Sequence, residues 1–346
     1  MLMNRKQMMS SFRFDKLQGF DDLTIHIEKR PEPQRGEVLV KVHAVSLNRR
    51  DLMIVQGDYP GNTIPGLIPC SDAAGEVIAI GEDVTAYKPG DRVINTYHPR
   101  WFGGKPPITA ATETYGNGRD GWLTEYKAIS QEGLVPLPDS LSWEEGSTLS
   151  CAGVTAWNAL HGYNPIKAGQ IVLTLGSGNV SIFAIQLAKA LGATVIATTS
   201  DNRKSDMLKK LGADHIVNYR EIKEWGHFVR EKFTKHAGVD RIVEVVGPAA
   251  LNDSLTAICW GGEIVLIGQL SKSTAPFDSS MLKKSGAILR PIGVGDRTML
   301  QELVSTITAK KIKPVIDKVF PFKDSKQAFE RLQHGDHFGK IIIRID

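Results

Sequence analysis

The segment Leu175-Gly176-Ser177-Gly178-Asn179-Val180-Ser181 joins a short apolar run to a helical one. Glycine at 176 permits a tight turn, and glycine at 178 lets a pyrophosphate approach the backbone closely. A helix starting there offers free N–H groups and the positive end of its dipole to phosphate oxygens. Ser181 stands where the third glycine of G-x-G-x-x-G would be, so the glycines alone are a weak signal. Their setting strengthens it: the apolar strand Ile171–Leu175 before, an amphipathic run from Val180 to Leu191 after, and a further strand from Thr194 to Thr198. The competing reading is a tight turn that holds no ligand.

The type of nucleotide is written a little further on. A fold of this kind that takes NAD usually ends its second strand on an acid for the ribose hydroxyls. Here the strand ends at Thr198-Thr199-Ser200, and Arg203 and Lys204 follow. Small hydroxyls leave room for a 2′-phosphate and a cation pairs with it, which favours NADPH over NADH. Asp201 supports the opposite reading, because a shift of one or two residues makes it the NAD-type acid. Arg203 and Lys204 would then be only a solvated helix start.

The chain has few metal-ligating cysteines. Cys70, Cys151 and Cys259 are far apart and form no CxxC pair. That spacing argues against a disulfide framework and against a structural zinc lobe, and fits a reducing cytosol. With 42 basic and 38 acidic side chains the net charge is +4, too little to indicate a nucleic-acid partner without a clustered basic face. No window approaches the apolar length of a membrane helix. The first residues, MLMNRKQMMSSF, lack the apolar core of a signal peptide and read as a disordered tail.

These residues need elements to hold them. At 346 residues the chain is long enough for two domains. Up to about Ser150 it reads as β-rich, with strands at Val38–Val45, Ala74–Ile80 and Arg92–Ile94 and turns at short intervals, as in an antiparallel barrel-like fold. From about Cys151 strands and helices alternate, which implies a parallel sheet covered on both faces. Helices are expected near Arg203–Leu211, Ala249–Ile258, Thr298–Ala309 and Lys326–Gln333. Lys340–Arg344 reads as a last strand that rejoins the first domain. The boundaries predicted are 1–150 plus 298–346 for one domain and 151–297 for the other. Asn95–Asp120 reads as a long loop over a functional cleft.

In this order and spacing, several motifs resemble the medium-chain dehydrogenase/reductase superfamily, particularly its zinc-independent, quinone-oxidoreductase-like branch. They are Leu47-Asn48-Arg49-Arg50-Asp51, Gly57-Asp58-Tyr59-Pro60, Ala74-Gly75-Glu76-Val77, Pro89-Gly90-Asp91-Arg92-Val93, Thr155-Ala156-Trp157, the glycine turn, Leu211-Gly212-Ala213-Asp214 and Phe338-Gly339-Lys340-Ile341. The resemblance covers nearly the whole chain. It implies an α/β architecture: a Rossmann doubly wound parallel sheet binding NADP, plus a β-rich GroES-like catalytic domain. Zinc enzymes of the family bind their catalytic metal through Cys, His and Cys. The matching positions here are Asn48, Ser71 and Cys151, with Asp72 as the acid behind them, so the resemblance implies no metal site. A substitute site from Cys151, His98 and Asp72 is the weaker alternative.

Without zinc, hydrogen-bond donors must stabilise charge on a substrate oxygen, which is easier where conjugation spreads it. The expected reaction is therefore hydride transfer from NADPH to a quinone or an α,β-unsaturated carbonyl. Position-matched resemblance puts Asn48 and Thr155 at the nicotinamide and substrate, with Tyr59 as donor or wall of the same cleft. Asp51 is expected to orient the Asn48 loop. Gly176, Ser177, Gly178, Asn179 and Val180 would hold the pyrophosphate, Thr199, Ser200 and Lys204 the 2′-phosphate, and Tyr219 the adenine. Gly268, Gln269 and Leu270 would meet the carboxamide. Lys340 is expected either near the cofactor or in a structural role. Trp101, Phe102, Trp122 and Tyr126 would either wall an apolar pocket or pin a surface loop. Two further readings stay open: a zinc-free alcohol dehydrogenase or carbonyl reductase, and a non-enzymatic nucleotide- or RNA-binding relative. The resemblance also implies a homodimer, with its sheet extended from an apolar edge near Glu263–Ile267 and the following segment, and the cysteine usage implies a cytoplasmic setting.

Overall fold

The computed structural model of the chain describes residues 7–59, 63–268 and 279–346. The chain forms two compact units, one of residues up to Val154 with Gly295–Asp346, the other of Thr155–Val294.

The first unit opens with β1 (Met8–Phe14) and β2 (Leu23–Lys29), an antiparallel hairpin. The disordered tail expected at the N-terminus is therefore wrong from Met8 onward. Met9, Phe12 and Phe14 are buried, and the Phe12 and Phe14 N–H groups donate to the carbonyls of Leu123 and Leu67. Polar Ser10, Ser11 and Arg13 stand among them, and Met9 lies on the opposite face from Phe12 and Phe14, so no simple alternation marks the strand. Next come β3 (Glu37–Ser46), α1 (Arg49–Val55), β4 (Asp72–Ile80), β5 (Arg92–Asn95), β6 (Tyr126–Ser130), β7 (Leu134–Pro136) and α2 (Trp143–Ser147).

The second unit is built from α3 (Val154–Leu160, entering it at Thr155), β8 (Ile171–Thr174), α4 (Asn179–Ala190), β9 (Thr194–Thr199), α5 (Ser205–Lys210), β10 (His215–Asn218), α6 (Trp225–Thr234), β11 (Val239–Glu244), α7 (Pro248–Ala257), β12 (Ile258–Leu266), α8 (Ser279–Ser285) and β13 (Ile288–Pro291). The chain then returns to the first unit with α9 (Arg297–Lys310), β14 (Ile316–Pro321), α10 (Ser325–His334) and β15 (Lys340–Arg344).

In the first unit the strands run β14-β15-β3-β4-β5-β7, with β6 also on β3. The final strand does rejoin the first domain, with Ile342 opposite Ser46 and Ile343 opposite Val45. In the second unit the order is β10-β9-β8-β11-β12-β13, parallel throughout. The order reverses between β8 and β11, and such a switch point opens a crevice at the carboxyl ends of the strands. Fully buried Leu173, Ile196, Ile242 and Ile264 give this sheet its core. Of the edge expected near Glu263–Ile267 and the following segment, Glu263–Ile267 is interior, because β12 is paired with β11 on one side and β13 on the other, and the edge strand is β13. Among the described residues, no helix is long and apolar enough to cross a membrane.

Candidate active site

The glycine turn leaves the carboxyl end of β8 at the switch point. Gly176 has φ +73°, a left-handed conformation that costs other residues energy. Its N–H donates to Thr198 Oγ1 at 3.0 Å, which ties the turn to β9. Gly178, the N-cap of α4, has φ −79°, and a Cβ built on it would point into empty space. The N-terminus of α4 therefore faces a cradle that a side chain would fill, as phosphate binding requires. Ser177, Asn179 and Val180, its neighbours in the chain, are half-buried. Ser181 is buried one turn into the helix and donates to the Leu175 carbonyl at 2.7 Å.

The neighbouring strand ends as expected. Thr199 closes β9 and Ser200 follows it. The Tyr219 N–H donates to the Thr199 carbonyl at 3.1 Å, placing the backbone of Tyr219, an exposed residue, beside that strand end. Lys204 closes a short 3-10 turn, Asn202–Lys204, capped by the Asp201 carboxylate through the Arg203 N–H at 2.9 Å. The Arg203 guanidinium also grips that carboxylate, 2.8 Å away, and holds the Asp201 carboxyl down at about 2. Gly268 follows β12, where a Cβ would lie 2.3 Å from the Val245 carbonyl oxygen, so only glycine fits. Gln269 and Leu270 lie outside the described residues. Thr155 is buried in the first turn of α3. Sequence reasoning passed over two supports. Thr198 anchors the turn, and Glu244, buried at the end of β11, accepts from the N–H groups of Val246 and Gly247 and from the Ser254 hydroxyl.

The first unit holds a buried polar cluster of its own. Asn48 leads into α1, and Asp51 clamps it: Asp51 Oδ2 accepts from the Asn48 N–H at 2.7 Å, and the Asp51 N–H donates to the Asn48 carbonyl at 3.0 Å. Burial pushes the Asp51 carboxyl up to about 6, against the pull of Arg50, whose Nη1 is 3.6 Å from Oδ1. Asn48 Oδ1 accepts from Lys340 Nζ at 2.6 Å, and its Nδ2 donates to Ser71 Oγ at 3.4 Å. Ser71 in turn donates to Asp72 Oδ1 at 2.6 Å, while Lys340 Nζ lies 3.6 Å from Asp72 Oδ2. Asn95 braces this strand, accepting from the Ala73 N–H and donating to the Ser71 carbonyl. Cys151 sits in a π turn, Leu149–Gly153, between α2 and α3. Burial, with Asp72 nearby, raises its thiol pKa well above the usual cysteine range.

Beside this cluster the Arg50 guanidinium lies under both the Tyr59 and Tyr97 rings, 4.9 and 5.0 Å from their centroids. The two phenols are 3.2 Å apart. Tyr97 and Arg50 had not been singled out; nothing in one sequence pairs a helix residue with a loop residue 47 positions away. Of the four loop aromatics, Trp122 belongs to the core, edge-on to Tyr115, and Tyr126 is in β6 with Arg30 over its ring. Trp101 is buried and donates to the Gly104 carbonyl, and Phe102 is half-exposed under Arg297. For Trp122 and Tyr126 the packing role accounts for the ring.

Residues 34–139 match the alcohol dehydrogenase GroES-like domain, and residues 180–309 match the zinc-binding dehydrogenase family. A zinc-type alcohol dehydrogenase-like protein of Schizosaccharomyces pombe is 40% identical over 96% of this chain and 98% of its own length. This chain belongs to the medium-chain dehydrogenase/reductase superfamily. It is an NAD(P)H-dependent oxidoreductase of that type, with a Rossmann sheet and a GroES-like domain. Human quinone oxidoreductase is 27% identical over 90% of each chain. A crystal structure from Sinorhizobium meliloti 1021, described provisionally as an alcohol dehydrogenase, is 36% identical, covers 98% of this chain and 99% of its own, and has a TM-score of 0.92.

The family implies a nicotinamide cofactor, and the open space beside the glycine N-cap at Gly178 fits its pyrophosphate. Zinc, named by one of the two matches, fits poorly. The match itself spans residues 180–309, away from Asn48, Ser71 and Cys151. Those three offer an amide, a hydroxyl and a thiol held in its protonated form, with an ammonium already 2.6 Å from the amide oxygen. Zinc sites use thiolate, imidazole or carboxylate donors, and a fixed cation repels a second one. Among the described residues, no group of three His, Cys, Asp or Glu side chains is gathered as metal ligands would be.

Proposed function

We propose that the enzyme reduces a quinone or an α,β-unsaturated carbonyl with NADPH and without zinc. The observation that carries this is the donor set of the first unit, where an amide, a hydroxyl and a protonated thiol stand at the positions of the family's metal ligands. A bound nicotinamide supplies the hydride. As hydride reaches a conjugated substrate, negative charge spreads over the conjugated system and its oxygen, so a neutral donor suffices where an isolated aldehyde needs a stronger electrophile. The Asn48 amide N–H is that donor in this reading, and Asp51 holds its backbone in place. Tyr59, paired with Tyr97 over Arg50, donates to the substrate or walls its pocket. Thr155 contacts the nicotinamide end of the cofactor. Gly176–Val180 receive the pyrophosphate, Tyr219 flanks the adenine, and Gly268 meets the carboxamide.

The preference for NADPH rests on Asp201. Its carboxylate is engaged by Arg203 and caps its own turn, so it is not held ready for ribose hydroxyls. Thr199, Ser200 and Lys204 then form the 2′-phosphate site. Distributed free cysteines support a reducing, cytoplasmic setting. For the proposed homodimer, the edge strand is β13, where Ile288 and nearby Trp260 are exposed; a monomeric mass by light scattering would remove that part of the reading.

Steady-state rates with a quinone, an enone and a simple aldehyde, each with NADPH and NADH, test the proposal. Conjugated acceptors should be preferred, chelators should have no effect, and Lys204→Ala should weaken NADPH while sparing NADH. Two of the relatives are named for alcohol dehydrogenase activity, which favours a second reading as a zinc-free carbonyl reductase. Faster turnover of the aldehyde would select it. Dependence on added zinc would overturn both.

A further inference from the structure

We propose that Lys340 is a positioning residue: its buried ammonium orients and polarises the Asn48 amide, a fixed cation in place of a metal ion. The inference rests on the reading of Asn48 as donor to the substrate oxygen.

A carboxamide can turn either end toward a neighbour, and its hydrogen-bond partners decide which. An ammonium has three donors and no acceptor, so it can meet only the amide oxygen, here at 2.6 Å. The Nδ2 end must then face the other way, toward Ser71 Oγ at 3.4 Å. Ser71 commits its one proton to Asp72 Oδ1 at 2.6 Å and can only accept from Asn48. Lys340 and Asp72, 3.6 Å apart, close the circuit. Every donor direction in the chain Lys340–Asn48–Ser71–Asp72 is thus fixed by the charges at its two ends. One Nδ2 proton points at Ser71, and the second is left for a substrate oxygen.

Burial and backbone pairing make this arrangement stiff. The Lys340 and Asp72 side chains are 1% and 0% exposed, so water does not screen them. The Lys340 N–H donates to the Val315 carbonyl at 2.8 Å, and the Leu47 N–H donates to the Ile341 carbonyl at 2.9 Å. The residue after the lysine is therefore bonded to the residue before the asparagine. A cation on the amide oxygen draws electron density from the nitrogen and strengthens its N–H as a donor.

The experiment compares wild type with K340M, K340R, N48A, N48A K340M and K340M D72N, using 2-cyclohexen-1-one as acceptor and NADPH as reductant. Circular dichroism and NADPH titration report folding and cofactor binding separately. K340M should lower kcat by about 30-fold or more while KM and the NADPH Kd change by less than about threefold, as for loss of an oriented donor. Adding K340M to N48A should lower kcat no further, because the lysine acts through the asparagine. K340R keeps the cation and should recover part of the loss. Where K340M unfolds because Asp72 is left unpaired, the charge-free K340M D72N carries the test. Full activity in that variant, or multiplicative losses in N48A K340M, overturns the inference alone. A wild type that turns over neither enones nor quinones overturns the function reading and this one with it.

Discussion

The Ser181 hydroxyl donates to the backbone carbonyl of Leu175 at 2.7 Å, closing the turn between β8 and α4 from inside. The third glycine of a dinucleotide motif normally permits close packing of helix on strand. Here a buried serine occupies that position and satisfies its hydroxyl on the strand itself. Ser181→Ala should therefore cost about 1 kcal/mol of stability, the worth of a buried hydrogen bond. NADPH affinity should stay within about threefold, because Ser181 faces the strand and not the cradle. Thermal unfolding and cofactor titration read the two effects, and a large loss of affinity with no loss of stability would contradict this assignment.

The two glycines of the turn should separate folding from binding. Gly178 has an ordinary φ and open space beyond it, so Gly178→Ala should leave the melting temperature nearly unchanged. The new methyl would fill the cradle, and NADPH affinity should fall by about tenfold or more. Gly176 has φ +73°, so Gly176→Ala should lose stability, by about 1 kcal/mol or more, as well as affinity. Unchanged binding by the Gly178 variant would mean that the phosphates lie elsewhere.

Glu263 is the centre of a buried ion triad in the second unit. Its carboxylate is 2.8 Å from Arg241 Nη2 and also accepts from Arg290 Nε. Arg290 continues to Asn158 Oδ1 and the Asn158 carbonyl, both at 2.9 Å, and Arg241 to the Ala159 and Asn164 carbonyls, so the triad staples β11, β12 and β13 to the end of α3. Glu263→Ala strands two buried cations and should destabilise by about 3–5 kcal/mol. Urea unfolding would show this as a lower midpoint at similar slope. A loss below about 1 kcal/mol would show that water reaches the arginines.

The Asp51 carboxyl gives a pH signature. Its pKa is raised by burial from an ordinary 3.8 to about 6, so the folded state holds the proton more tightly than the unfolded chain. Such a group favours folding most at low pH, and its contribution is lost as pH rises through about 6. The stability of wild type relative to Asp51→Asn should therefore fall between about pH 4 and pH 6 and level off above that. Urea midpoints of both proteins across this range check it. A parallel pH course for the two would place the titration on another residue.

What the sequence by itself determined was whatever depends on neighbours along the chain. The βαβ rhythm, the glycine turn, the end of β9 at Thr199 and the motifs of the family are all local patterns, and the fold follows from them. The first strand escapes sequence reading because polar Ser10, Ser11 and Arg13 stand among residues buried on both faces, so no alternation marks it, and its place shows only in its tertiary contacts with β2, Leu67 and Leu123. Asp201 was ambiguous for a related reason: the sequence places it near the ribose position, but only the geometry of its turn shows that Arg203 already holds it. In the polar cluster of the first unit, the resemblance named Asn48, Asp51, Ser71, Asp72 and Lys340 as positions, but most of their mutual contacts were beyond sequence reasoning. Asn48 and Lys340 are 292 positions apart, and their contact exists because β15 returns to pair with β3. Tertiary structure alone decided that this buried lysine meets an amide and a carboxylate, since a charge inside a protein is tolerable only where the fold delivers its partners.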